Sequence, residues 1–389
     1  MSTTSGAVYG RLSVFYFFYF AALGVLIPFW GLYLLSLDFS AREIGELLAV
    51  LVGTKLVAPY IWGLIADYSG RRVRVIQIGS FMAAASFLLV YYVESYWFMA
   101  GVMVLYSFFW NAVIPQYDVV TMNHLGKSHR RYGLIRSWGS IGFIIAVILA
   151  GALVDQYQGR IILPVLTFVF FAIWLSAMLT PEDRYYAIGK GDSAEKIAQI
   201  IRRPEVIALF LVCFLMQFSH GAYYAFFSIH LEHYGYSKTV IGQYWALGVL
   251  AEIIIFLIMA KLLNRYGAKK LVITSLIIAS VRWILTAYFA DSWWIMAISQ
   301  TMHAATFGLY HAVAIYYVYH YFTGKLQGRG QALYNSLGFG AGGALGSLIS
   351  GYGWEAMGAT ATYLIASSST AVAVVISIAL MKDIKPAYD

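Results

Sequence analysis

The sequence predicts an all-α membrane protein, with twelve transmembrane helices in two six-helix bundles related by a parallel pseudo-two-fold repeat. Three observations carry the expectation. The 389 residues are 61% hydrophobic and only 11% charged, against about 25% charged in an ordinary soluble domain. Twelve apolar segments reach the roughly 20 residues a bilayer crossing needs. The chain also repeats itself at an offset of 197 residues.

The segments fall near 12–36, 42–66, 75–94, 97–123, 132–154, 161–180, 205–232, 238–263, 270–290, 293–322, 329–351 and 356–381. The first lacks a small-residue cleavage site and reads as a helix, not a signal peptide. One cysteine, Cys213, excludes an internal disulfide.

Charge placement sets the orientation. Arg11, Arg71, Arg72, Arg74, Lys127, Arg130, Arg131, Arg184, Lys190, Lys196, Arg202 and Arg203 fall in one set of loops. Lys261, Arg265, Lys269, Lys270, Lys325, Arg329, Lys382 and Lys385 fall in the same set. The opposite loops hold only Arg42, Arg160 and Lys238. This positive-inside bias puts both termini in the cytoplasm of a multi-pass protein of a bacterial-type inner membrane. It also accounts for the pI near 9.3 without a nucleic-acid partner. The expected partners are the lipid bilayer and a small-molecule substrate, and the chain is expected to be a monomer.

In the repeat, Ser40, Ile44, Gly45 and Ala49 match Ser237, Ile241, Gly242 and Ala246. Gly70, Val75, Ile76 and Trp97 match Gly267, Val272, Ile273 and Trp294. The domain boundaries follow: 1–180, a cytoplasmic linker over 181–204, and 205–389. Paired halves with a site near the midplane are a transporter pattern.

Three basic residues, Lys55, Arg136 and Arg282, lie inside helices. So does Glu252, in the apolar run GVLAEIIIF of helix 8. An intramembrane charge is costly and marks function. Glu252 and Arg282 are each fifteen residues from Gly267, so an antiparallel hairpin brings them to one depth. Asp118 and Arg136 are each nine residues from Lys127, and the same arithmetic pairs them. The alternative for Arg136 is snorkelling to the surface. Lys55 stands at the repeat position of Glu252, but its own hairpin position holds Ala85, and the sequence assigns it no role.

Helix 7 carries Gln217, His220 and Tyr224 on one face, and helix 10 carries His303, Phe307 and His311. Asn111 lies seven residues before Asp118. Each histidine alone fits an ordinary interior hydrogen bond. Together with the arginines and acids they suggest a site able to relay a proton, and the spacing does not suit a metal. His230 and His233 are expected at the external membrane interface. Trp110, Trp138, Phe143, Tyr223 and Tyr224 fall near the charges, for stacking on a substrate or for plain packing.

The loop GLIADYSGRR, Gly63 to Arg72, resembles the signature loop of the major facilitator superfamily, with Gly63, Asp67, Gly70, Arg71 and Arg72 at its key positions. Tyr68 replaces a frequent basic residue, and Asn264 replaces the acid in the second copy. YGLIRSWGS, MQFSHGAYYAFF, YWALGVLAEIIIF and MHAATFGLYHAVA look like the phenylpropionic acid permease group, related to lactose permease-type oligosaccharide/proton symporters. That resemblance implies the major facilitator fold, no enzyme activity, and no cofactor beyond a coupling proton. It implies substrate contacts at Asp118 and Arg136, and binding and proton coupling at Glu252, Arg282 and His303.

His220 joins the coupling group as a second relay candidate. Asn111, Trp138, Gln217, Tyr224 and His311 complete the candidate substrate site. The further acid of lactose permease, one turn after the histidine, is absent, since Thr306 and Phe307 stand there. The expected activity is proton-coupled uptake of a small aromatic carboxylate such as 3-phenylpropionate. A sugar or nucleoside symporter and a metabolite or drug exporter are the alternatives.

Overall fold

The computed structural model describes residues 6–93, 95–125, 129–181 and 194–384, and among these it is helical with no strand. Lys127, Arg184, Lys190 and Lys385 of the charge tally lie outside the described residues, as do 182–193 of the expected linker. The side chains of Arg130, Lys196 and Lys325 do too.

The long helices are α1 (Gly6–Leu35), α2 (Ala41–Ser69), α3 (Arg72–Tyr92), α4 (Tyr96–Leu125) and α5 (His129–Tyr157). They continue as α6 (Gly159–Met178), α7 (Pro204–His233), α8 (Lys238–Tyr266) and α9 (Ala268–Tyr288). Ten described helices are long and apolar enough to cross a membrane. The tenth is α11, Gln327–Leu380, which spans the last two apolar segments read from the sequence and breaks at Gly358 (φ 82°), two residues into the second of them. The segment expected over 293–322 is α10, made of Trp293–Thr301 and Tyr310–Tyr321 with a π turn over Ala304–Leu309 between them. A short amphipathic helix, Ala194–Ile201, precedes α7.

Local chemistry explains the repeat's identical residues. Ser40 and Glu43 form a reciprocal capping box at the start of α2, Ser40 N–H donating to Glu43 at 2.8 Å and Glu43 N–H to Ser40 Oγ at 3.2 Å. At the equivalent start of α8, Ser237 Oγ accepts from Val240 N–H at 3.3 Å. Gly24 and Gly221 are also 197 apart, and both mark a backbone-to-backbone crossing. A Cβ on Gly24 would meet the Phe143 carbonyl at 2.6 Å where α1 crosses α5. One on Gly221 would meet Gly346 at 2.2 Å where α7 crosses α11.

The chain forms two compact units. The first gathers residues up to Phe39, Val50 through α6, and Tyr236–Ala246, and the second gathers Ser40–Ala49, α7 and everything from Leu247. In the first, Asp155 accepts from the backbone of Lys238 and Thr239 at 2.8 Å each and caps the first turn of α8. In the second, Arg42 N–H donates to Glu355 at 3.0 Å, and Gly45 lies against Gly351, where a Cβ would be 2.6 Å from the facing Cα. The core of the second unit packs Cys213, Leu276, Tyr310, Tyr317 and Tyr334.

Candidate functional site

Four helices of the second unit converge on one chain of polar contacts. Glu252 projects from α8 away from that helix's exposed stripe of Leu250, Ile254 and Leu257. Its Oε1 lies 2.8 Å from His303 Nε2, with the two side chains 12% and 7% exposed. Arg282, fully buried on α9, donates from Nη1 to His303 Nδ1 at 2.8 Å and to Thr306 Oγ1 at 3.0 Å. Its Nη2 reaches Gln300 Oε1 at 3.4 Å, and Tyr223 donates to the same oxygen at 2.8 Å. The guanidinium also stands over the Tyr223 ring at 4.3 Å, a cation–π contact.

The hairpin reading put Arg282 directly against Glu252, but the structure interposes His303. The π turn contributes to this. It begins immediately after His303 and brings Thr306 to Arg282, and such turns gather at functional positions. It also aligns His303, Phe307 and His311 as a column of near-parallel rings, with centroids 5.3 and 6.1 Å apart. Gly248 and Gly308 pack against the pair. A Cβ on Gly248 would lie 3.3 Å from His303 Cδ2, and one on Gly308 would lie 3.3 Å from Glu252 Cγ.

These contacts fix a tautomer. Arginine has donors only, so His303 Nδ1 accepts from Arg282 and carries no proton. The ring proton is therefore on Nε2, facing the Glu252 carboxylate. A second proton on His303 requires Arg282 Nη1 to leave, and the Nε2 proton is the neutral ring's own, so an added proton has the Glu252 carboxylate to go to.

His220 lies outside this chain. Its Nδ1 bonds the Met216 carbonyl at 2.8 Å, which leaves Nε2 as a buried acceptor without a partner among the described residues. The Nε2 of Gln217, one turn back on α7, is likewise a buried donor without a partner among the described residues. Tyr224, Trp283 and Phe307 stand around the His220 ring at 5.8, 5.0 and 6.4 Å. Tyr224 thus joins Gln217 and His220, while His311 is turned to the Tyr334 hydroxyl at 2.7 Å. His230 is buried and bonded to the Thr286 carbonyl at 3.0 Å, not interfacial as the sequence suggested. His233 is exposed.

In the first unit Asp118 accepts from the Tyr16 hydroxyl at 2.6 Å and from Tyr132 at 3.1 Å. The hairpin arithmetic expected an ion pair with Arg136. Instead the Arg136 guanidinium stacks on Phe20 at 3.8 Å, and Gly139 leaves it room, since a Cβ there would be 2.7 Å from Phe20 and 3.1 Å from Arg136 Nη1. Asn111 is buried and donates to the Leu51 carbonyl at 2.9 Å and Thr54 Oγ1 at 2.8 Å, so it fastens α4 to α2. Trp138 is 41% exposed and donates to the Tyr9 hydroxyl at 3.3 Å. Two residues past Arg136, it points about 200° round α5, and the structure does not gather it with Asp118. Trp110 packs in an aromatic core between Tyr19 and Phe170, and Phe143 is buried at the crossing with α1.

The signature loop closes on itself. Gly70 takes φ 66° and ends α2, a conformation glycine supplies without strain. Arg72 is buried and forks between Asp67 and Gln116 of α4, while Arg71 is exposed. A Cβ on Gly63 would lie 3.4 Å from Gln116 Nε2. In the second copy Lys269, at the repeat position of Arg72, gives its ammonium to the Ile378 carbonyl at 2.9 Å.

Sequence reasoning missed Tyr16, Tyr132, Gln300 and Thr306. Gln300 and Thr306 lie three residues either side of His303, and Tyr132 one turn before Arg136, so a polar-spacing search around the charged residues finds three of the four.

A family model described as "MFS_1 like family" matches residues 9–365. The chain belongs to that family. It is therefore a membrane transporter of the major facilitator type and not an enzyme. This MFS_1-like chain is 30% identical to a "Probable 3-phenylpropionic acid transporter" of Escherichia coli (strain K12), over 89% of its own length and 91% of the relative's. It is 27% identical to "Maltose permease" of Geobacillus stearothermophilus, over 95% and 93%. In fold it resembles the crystal structure of nucleoside transporter NupG, with a TM-score of 0.83 and 18% identity, covering 96% of this chain and 98% of that one.

Proposed function

We propose that this transporter is a proton-coupled symporter that takes up a small aromatic carboxylate of the 3-phenylpropionate kind by alternating access. The working parts are two six-helix bundles, 1–180 and 205–389, joined by a cytoplasmic linker, in a bacterial-type inner membrane with both termini inside. The single observation that carries the coupling reading is the buried Glu252–His303–Arg282 chain. It gives one added proton a defined place, on the Glu252 carboxylate beside a neutral imidazole, and a cation to hold the imidazole's tautomer. The proton is the only coupling species the reading needs. Arg136, Gln217, His220 and Tyr224 are the substrate contacts of this reading, and Asp67, Gly70 and Arg72 hold the cytoplasmic loop. The 30% identical relative supports the cargo class.

A sugar or nucleoside cargo is the second reading. Asp118 with two tyrosine hydroxyls suits neutral hydroxyl groups, and a maltose permease is among the relatives.

The test is uptake of labelled 3-phenylpropionate into right-side-out vesicles, with and without an inward proton gradient. The expected result is gradient-driven accumulation by the wild type, lost in Glu252→Gln while substrate exchange survives. Wild-type vesicles that ignore 3-phenylpropionate would overturn the cargo. Undiminished accumulation by Glu252→Gln would overturn the coupling site.

A further inference from the structure

Lys55 is an ammonium inside the membrane that neither the coupling chain nor the loop employs. It stands in α2 on a 3-10 turn, Thr54–Leu56. The turn has a covalent cause: Pro59, four residues on, has no N–H to return to the Lys55 carbonyl. Two contacts pin it, Asn111 Nδ2 donating to Thr54 Oγ1 at 2.8 Å and Thr54 Oγ1 to Ser107 at 3.0 Å. Lys55 is therefore carried on a rigid break.

Its direction follows from helix geometry. The exposed apolar stripe of α2 contains Leu56, Val57, Tyr60 and Leu64. At about 100° per residue, Lys55 lies opposite the middle of that stripe. It shares its face with Leu51 and Ala66, both buried. The side chain is half-buried, so it is neither sealed in the packing nor turned to lipid.

No hydrogen bond or ion pair reaches the Lys55 ammonium among the described residues. The other two intramembrane cations are occupied. Arg282 is bonded to His303 and Thr306, and Arg136 is stacked on Phe20. The repeat adds a contrast, because the position equivalent to Lys55 holds Glu252, the acid of the coupling chain. The same place in the two halves thus carries an acid once and an unanswered cation once. An ionised group within a membrane span calls for a counter-charge.

We propose that Lys55 is the anchor for the carboxylate of the transported substrate, the substrate anion itself supplying the missing counter-charge. This deepens the aromatic-carboxylate reading and rests on it. Lys55 makes the transporter specific for the anion, while Glu252 carries the proton.

The experiment measures equilibrium binding by tryptophan fluorescence of the purified full chain in detergent. The probes are 3-phenylpropionate, its neutral amide 3-phenylpropionamide, and maltose. The wild type is expected to bind the acid ~10-fold or more tightly than the amide, the size of one charge-assisted hydrogen bond. Lys55→Gln is expected to lose that preference and keep its affinity for the amide, which also shows that it is folded. Lys55→Arg is expected to restore the preference.

Equal wild-type binding of acid and amide would overturn the anchor and leave aromatic transport standing. A Lys55→Gln protein that still prefers the acid would do the same, and equal loss of both ligands would make Lys55 structural. Wild-type binding of maltose alone would overturn both the anchor and the cargo reading.

Discussion

Removing the imidazole of His303 tests the polar chain most directly. His303→Ala deletes two contacts at once, 2.8 Å to Glu252 and 2.8 Å to Arg282. Hydrogen bonds to charged groups contribute about 1.5–3 kcal/mol each. Taking one member from a buried pair costs about 3–5 kcal/mol, because the remaining charge keeps its desolvation penalty. With an unfolding entropy of about 2.1 cal/mol/K per residue over the chain, that is a fall of roughly 4–6 °C in Tm.

Glu252→Gln removes the charge that His303→Ala strands. The double variant should therefore lie above the sum of the singles by roughly 1.5–3 kcal/mol. The protein carries its own reporter, since Cys213 is the single cysteine and is fully buried. A thiol-reactive dye followed during heating in detergent reads its exposure. Strict additivity of the two substitutions would refute the pairing of Glu252 with His303.

Two further outcomes follow from the geometry. Arg72→Lys should cut the initial uptake rate several-fold more than Arg71→Lys in the same vesicles. A lysine cannot fork between Asp67 and Gln116, whereas Arg71 is exposed. Equal rates for the two variants would deny the fork a role. Gly221→Ala forces a Cβ to 2.2 Å from the Gly346 backbone, where no side chain can yield. It should cost about 1–3 kcal/mol, read as a lower Tm with the same dye, and an unchanged Tm would show that α7 and α11 separate without penalty.

The apolar segments were legible in the sequence because a bilayer demands length and hydrophobicity, and both are countable. The repeat was legible at its caps and turns, where Ser40 and Ser237 or Gly70 and Gly267 perform local tasks that few residue types can. Charge positions were legible because a charge in an apolar run is conspicuous. Pairing was not. Counting from a loop centre compares only the two helices of one hairpin and assumes both are regular, so it does not see α10, whose His303 stands between Glu252 and Arg282. Counting likewise could not foresee that Asp118 would take tyrosine hydroxyls while Arg136 turned to Phe20. Tyrosines are so common here, 31 in the chain, that no single one stands out. His230 was misjudged because its position near a helix end says nothing of the Thr286 carbonyl that α9 offers it.

Arg282 blocks one nitrogen of His303, and this has an electrical consequence. A cluster with room for one exchangeable proton, working with a monocarboxylate, moves no net charge per cycle. Its accumulation ratio follows the pH difference alone and ignores membrane voltage. A neutral sugar carried with the same proton would import one positive charge each time, and every 100 mV would then add about 2.3 kcal/mol of driving force. Voltage, imposed at constant pH, therefore reads the charge of the cargo without any knowledge of its structure.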